Sequence, residues 1–211
     1  MGDQREYLEI CDERGASTGA VEERGLVHAK GLLHRTVHVW VYGWSGEILF
    51  QKRAAGKDSH PGFWDVSAAG HVSPGESTVM TAVRELEEEL GIEAGESDLA
   101  RAGVRRFTLV SRGGAFIDNE ITDLYFLKIG NAADEYPDGS SGGEALPGLT
   151  GTGGPSAFSF DRSEVDEVRF IGGAELQRLM KGDDFEKIFV PHGKDYYAWV
   201  LDTVEALLNS P

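Results

Sequence analysis

Residues 70–92 read GHVSPGESTVMTAVRELEEELGI, and the reading of this stretch decides the fold. Ser73 and Pro74 open a turn, Glu76 stands just ahead of a helical segment at 77–90, and Gly91 occupies the place of a helix C-terminus. At about 100° per residue, Val79, Val83, Leu86 and Leu90 fall on one side of that helix. Glu85, Glu88 and Glu89 fall together on another, because residues three and four apart share a face. The spacing predicts a helix seated on the core through its aliphatic stripe, with three carboxylates presented outward. Like charges so placed repel by a few tenths of a kcal/mol per pair. Arg84 relieves Glu88 one turn away, but one guanidinium does not balance three carboxylates. A solvated acidic face is the ordinary reading of such a run. Oxygen ligands gathered on a rigid helix also suit a hard divalent cation, Mg²⁺ or Mn²⁺. The backbone carbonyl of Gly70, just ahead of the helix, adds a further oxygen.

The rest of the chain sets bounds on that choice. Its 211 residues, 40% of them hydrophobic, are enough for one sizeable α/β domain. A formal charge of −16 argues against nucleic acid and anionic membrane as partners. A phosphorylated substrate would need local positive charge, which a divalent cation supplies. Cys11 is the only cysteine, so no intramolecular disulfide forms and a reducing compartment is expected. MGDQREYLEI lacks the apolar core of a secretory signal, and Glu6 stands where a myristoylation pattern needs Ser or Thr. The expected location is the cytoplasm, and a homodimer is compatible with the composition.

Residues 1–35 alternate short β-like pieces such as EYLEIC with turn chemistry. TVHVWVYG (36–43) reads as a buried strand, and with ILFQKR it forms an expected hairpin over 36–53. FWDVSAAG reads as one short strand ending at Gly70. VRRFTLVSR and TDLYFLKI read as two more. Residues 130–155, rich in Gly, Pro and Ser, read as an insertion between strands. DYYAWVLDTVEALL puts Tyr197, Val200, Leu201, Val204 and Leu208 at helical spacing, an amphipathic helix closing the domain. Together these predict a mixed sheet with helices on both faces.

The segment 70–92 resembles the Nudix box, G-x5-E-x7-R-E-U-x-E-E-x-G-U with U a bulky aliphatic. Gly70, Glu76, Arg84, Glu85, Leu86, Glu88, Glu89, Gly91 and Ile92 match it at every specified position. The resemblance implies an α/β fold, the Nudix-type α/β/α sandwich with a mixed β-sheet, as a single domain over residues 1–211. It also implies hydrolysis of a nucleoside diphosphate linked to another group, with Mg²⁺ or Mn²⁺ as cofactor. Carried over residue by residue, Gly70, Glu85, Glu88 and Glu89 are metal ligands, while Glu76 and Arg84 hold the loop–helix geometry. Glu88 is the first candidate for general base, with Glu120, Glu164 and Glu167 behind it. Arg53 and Lys57, in and after a strand ahead of the box, are candidates to bind phosphate, Arg53 having the fork that suits bidentate contact.

HAKGLLHRTVHVW, QKRAAGKDSHPGFWDVSAAGH and the later DNE resemble the isopentenyl diphosphate isomerase-like branch of the superfamily. In those isomerases, histidines matching His28, His34 and His71 and acids matching Asp118 and Glu120 hold a metal. His71 is therefore also a substrate-site candidate. Two features point away from isomerisation: Ala69 stands where the isomerases carry a catalytic cysteine, and the acidic core of the box is complete. The expected function is thus a metal-dependent hydrolase acting on a small-molecule diphosphate. The alternatives are isomerase-like activity, hydrolysis of a prenyl diphosphate, and a non-catalytic nucleotide-binding module.

Overall fold

The computed structural model describes residues 5–130 and 160–210. The Gly/Pro/Ser-rich insertion expected at 130–155 lies, beyond Gly130, outside the described residues. Strand β3 (His34–Tyr42) is buried at every position except Arg35. Successive side chains on a strand point to opposite faces, so Val37, Val39 and Val41 enter one core cluster and Trp40 and Tyr42 the other. A strand buried on both faces reads as an unbroken apolar run. That is why 36–43 was legible.

Ahead of β3 come β1 (Tyr7–Cys11), β2 (Ser17–Glu23) and α1 (Arg24–Lys30). The helix α1 was not expected. It ends on Gly31, whose φ of 60° is the left-handed conformation that glycine adopts without strain. After β3 come β4 (Ile48–Arg53), β5 (Trp64–Asp65), β6 (Ala68–His71) and α2 (Thr78–Leu90). The chain continues through β7 (Leu99–Ser111), β8 (Phe116–Lys128), β9 (Val165–Ile171), α3 (Gly173–Met180), α4 (Phe185–Ile188) and α5 (Lys194–Leu208). No helix among the described residues is long and apolar enough to cross a membrane.

β3 lies between β8, parallel to it, and β6, antiparallel. β7 extends the sheet beyond β8. The expected 36–53 hairpin closes only at Tyr42↔Ile48, after which β4 turns away to pair with β5 and β9. The single strand expected at 63–70 is two, split at Val66–Ser67. Ser67 explains the break: its hydroxyl accepts from Val41 N at 2.9 Å and donates to Leu49 O at 2.5 Å, joining the diverging strands.

Helix α2 covers one side with Ala82, Leu86 and Leu90, and α5 covers the other with Tyr196, Tyr197, Val200 and Val204. Burying each of these larger side chains contributes about 1.5–3 kcal/mol. α2 is capped by Ser77, whose hydroxyl accepts from Met80 N, and ends at Gly91 with φ 66°. On the α5 side, the Tyr196 hydroxyl accepts from Trp40 Nε1 at 2.9 Å and pairs with His38 Nδ1 at 2.8 Å. Indole N–H is a donor only, so the hydroxyl proton is left for His38 Nδ1 and each polar atom is satisfied. Tyr196→Phe strands two fully buried groups at once. Chemical denaturation should show a loss of about 1–3 kcal/mol at unchanged m-value.

Candidate active site

The acidic helix does not sit as its aliphatic stripe predicted. Glu85 and Glu89 are 9% and 6% exposed, turned inward beside Leu86 and Leu90, while Glu88 alone stays open. The buried arc of α2 is wider than the aliphatic residues mark, because Thr78, Thr81 and Ala82 belong to it. Glu89 Oε2 accepts from Gln51 Nε2 at 3.0 Å and from Ala69 N at 3.1 Å. Burial raises its pKa to about 8, and the Glu85 charge adds to the rise. Burial likewise raises Glu85 to about 7, although Arg84 pulls the other way. A methyl added at Gly70 would collide with the Glu85 carboxyl, so the glycine lets that carboxyl lie directly against the strand.

Arg84 organises the rim. It donates to Glu85 at 2.7 Å, to Glu88 at 2.9 Å, to both oxygens of Glu76 at 3.3 Å, and to the carbonyl of His71 at 3.3 Å. Glu76 also accepts from Thr81 Oγ1 at 2.9 Å. Arg84 thus bridges the loop carrying Glu76, helix α2 and strand β6.

A second cluster adjoins the first through β6. His28, His34, His71 and Glu120 each offer a ligand atom, all within 4.8 Å of one another. Strand register assembles it: His34 lies opposite Glu120 across the β3–β8 pairing, and Thr36 lies opposite His71 across β3–β6. His28 Nδ1 donates to Arg24 O at 2.8 Å, and His34 Nδ1 donates to Leu32 O at 2.9 Å. A carbonyl can only accept, so Nδ1 carries a proton in both rings, and in the neutral imidazole Nε2 is the nitrogen with the lone pair. Both Nε2 atoms are buried without a hydrogen-bond partner. They face carboxylates instead, His28 at 3.3 Å from Asp118 and His34 at 3.7 Å from Glu120. Burial depresses the His34 pKa to about 3, and raises that of Glu120 to about 8 with help from Asp118. Lone pairs aimed at carboxylate oxygens describe a site shaped for a cation.

Both clusters open on one cavity of about 660 Å³. Arg53 and Lys57 line it but are already engaged, Arg53 with Asp65 at 3.0 Å and with Ser59, Lys57 with Glu164. Of the other base candidates, Glu164 lines the cavity, while Glu167 pairs with Arg169. Trp64 and Phe189 are core residues; Phe63 is exposed to an intermediate degree. Glu6, Arg24, Asp65 and His192 were missed as wall residues. His192 bonds Asp65 at 2.7 Å across a long stretch of chain, which no local pattern reveals.

The NUDIX domain profile matches residues 32–192. The chain belongs to the NUDIX domain family. An uncharacterized Nudix hydrolase of Clostridium acetobutylicum is 34% identical over 211 residues, 94% of this chain and 96% of that one. An isopentenyl-diphosphate Delta-isomerase of Streptomyces avermitilis is 35% identical over 183 residues, 87% of this chain and 79% of its own. Nudix hydrolase 3 of Arabidopsis thaliana is 32% identical over 188 residues, but the match spans only 22% of that longer protein. The fold is shared with the crystal structure of DR0079 from Deinococcus radiodurans, at TM-score 0.55 and 18% identity, covering 87% of this chain and 97% of that one. The protein is thus an enzyme of the Nudix hydrolase type.

The buried acids make stability depend on pH with a definite sign. Glu85, Glu89 and Glu120 keep their protons in the folded chain after the unfolded chain has lost them, so stability falls as pH rises towards about 8. His34 and His38, held down to about 3 by burial, act oppositely, but only up to their ordinary value of 6.5. Between 6.5 and 8 the glutamates dominate this set. Urea melts in chelator should show the midpoint dropping across that window, and Glu89→Gln should flatten the drop. An identical slope in the variant would remove the Glu89 charge as its cause.

Proposed function

We propose that the protein, acting as a single domain, hydrolyses a diphosphate linkage in a nucleoside diphosphate or a derivative of one. Gly70, through its carbonyl, and Glu85, Glu88 and Glu89 hold Mg²⁺ or Mn²⁺ in this reading. The observation that carries it is the pair Glu85 and Glu89, both buried with raised pKa values, Glu85 against Gly70 and Glu89 on Ala69 N. Two such carboxylates are costly in an empty protein, and an all-oxygen donor set fits a hard divalent cation. When bound, that ion neutralises charge on the diphosphate oxygens and polarises the attacking water.

The chain's own groups complete the chemistry. Glu88 lines the cavity and stays open to water, so it is the first choice as proton acceptor, with Glu120 second. Lys57 and Arg53 stand on the wall where a diphosphate would exchange with their present carboxylate partners. Phosphoryl substitution needs mainly positioning and charge neutralisation. His28, His34, His71 and Glu120 form a second candidate cation centre. Its nitrogen donors suit a transition metal better than Mg²⁺.

The isomerase reading draws on the isomerase-like segments of the chain and on the Streptomyces relative, and it meets a chemical obstacle. Ala69 lines the cavity, and the sole thiol, Cys11, is buried elsewhere with Leu33 and Ile121. A prenyl chain would also need apolar walls. Among the described residues, the apolar lining beside glycines is Val37, Ala69, Leu109, Phe116 and Val190.

A panel of nucleoside diphosphate derivatives and isopentenyl diphosphate, run with Mg²⁺ and with Mn²⁺, tests the proposal by separating the products, a nucleoside monophosphate with the phosphorylated remainder from the former and free phosphate from the latter. Glu89→Gln should lose turnover by about 10²–10³-fold while melting no lower than the parent. Dimethylallyl diphosphate formed without phosphate release would install the isomerase reading. Tight nucleotide binding with no turnover would make the protein a binding module.

A further inference from the structure

We infer that Glu6 is a positioning residue of the histidine centre, its carboxylate fixing His71 so that three imidazole Nε2 atoms face one divalent ion. The inference rests on reading His28, His34, His71 and Glu120 as a cation centre. It adds a residue that lies, like His28, ahead of the segment 32–192 matched by the family.

The three rings share one arrangement. His28 and His34 each spend Nδ1 on a backbone carbonyl. His71 has no such carbonyl, and its Nδ1 lies 3.1 Å from Glu6 Oε1 instead. The ring centroids stand 5.1 to 5.2 Å apart, so the imidazoles close around a common space. A ligating histidine is ordinarily held through its second nitrogen, and a carboxylate there fixes the tautomer and makes the ring a stronger donor. Glu6 supplies the one charged acceptor of the three.

Arg24 fixes Glu6 in turn. Its backbone N–H donates to Glu6 O at 2.8 Å, and its Nε lies 3.1 Å from Glu6 Oε2, leaving Oε1 for His71. The Arg24 carbonyl is also the acceptor for His28 Nδ1. One residue therefore sets two of the three rings, one through its main chain and one through Glu6. The Glu6 side chain is 48% exposed and belongs to no core cluster, so replacing it should leave the fold intact.

Co²⁺ alone is the probe, titrated by visible absorption with Mg²⁺ in excess to fill the carboxylate site. Imidazole is a stronger-field donor than oxygen, so histidine ligation places the Co²⁺ bands at shorter wavelength than an all-oxygen site does. Glu6→Ala should weaken Co²⁺ binding by about 10–100-fold with unchanged thermal melting of the metal-free protein. Glu6→Gln should restore part of the loss, because the amide oxygen still accepts from Nδ1–H. His28→Ala and Glu120→Gln are the reference variants and should lose the bands. Parent-like binding by Glu6→Ala, with the references defective, overturns the role of Glu6. Parent-like bands in both references overturn the histidine centre itself, a separate failure.

Discussion

Three carboxylates and one backbone carbonyl meet on the guanidinium of Arg84, and the geometry of the Nudix box depends on that meeting. Glu76 comes from the loop before α2, Glu85 and Glu88 from the helix, and the carbonyl from His71 on β6. A planar fork with five donors can serve partners in several directions at once, which an ammonium cannot. Arg84 thereby ties loop, helix and strand into one unit. Its charge also offsets part of the repulsion among these acids. Lysine at 84 would hold one or two of these partners and release the rest.

The sheet supplies the other half of the design. β3 carries His34, Thr36 and His38 on one face and Val37, Val39 and Val41 on the other. The same strand thus seats α2 through its valines and builds the cavity floor through its polar positions. Parallel pairing with β8 fixes Glu120 beside His34, and a slip of one residue would send every one of these side chains to the wrong face. Register is a functional specification here as much as a structural one.

Much of this was legible in the chain itself. The run 36–43 announced a doubly buried strand, Ser77 and Gly91 marked the ends of α2, and nine motif positions announced the family. Other parts were not. The wheel placed three glutamates outward because aliphatic residues define a stripe by hydropathy alone, whereas Thr78, Thr81 and Ala82 extend the buried arc to Glu85 and Glu89. Ser67 breaks a β-like run through two side-chain hydrogen bonds that no propensity encodes. β9 and α3 went unread, lying beyond a Gly-rich stretch with weak periodicity of their own. Glu6 reaches His71 through space, a pairing that sequence order conceals.

Among the described residues, every Arg and Lys on the cavity wall already holds an internal anion: Arg24 with Glu6 and Asp58, Arg53 with Asp65, Lys57 with Glu164, and Arg84 with its three acids. An arriving polyanion therefore finds no vacant positive charge and can only trade places with a carboxylate tethered nearby. The tethered rival returns as soon as the guest is cut, which favours brief residence of the anionic products. A pocket so built discriminates through the ions it recruits, and clears itself by intramolecular competition.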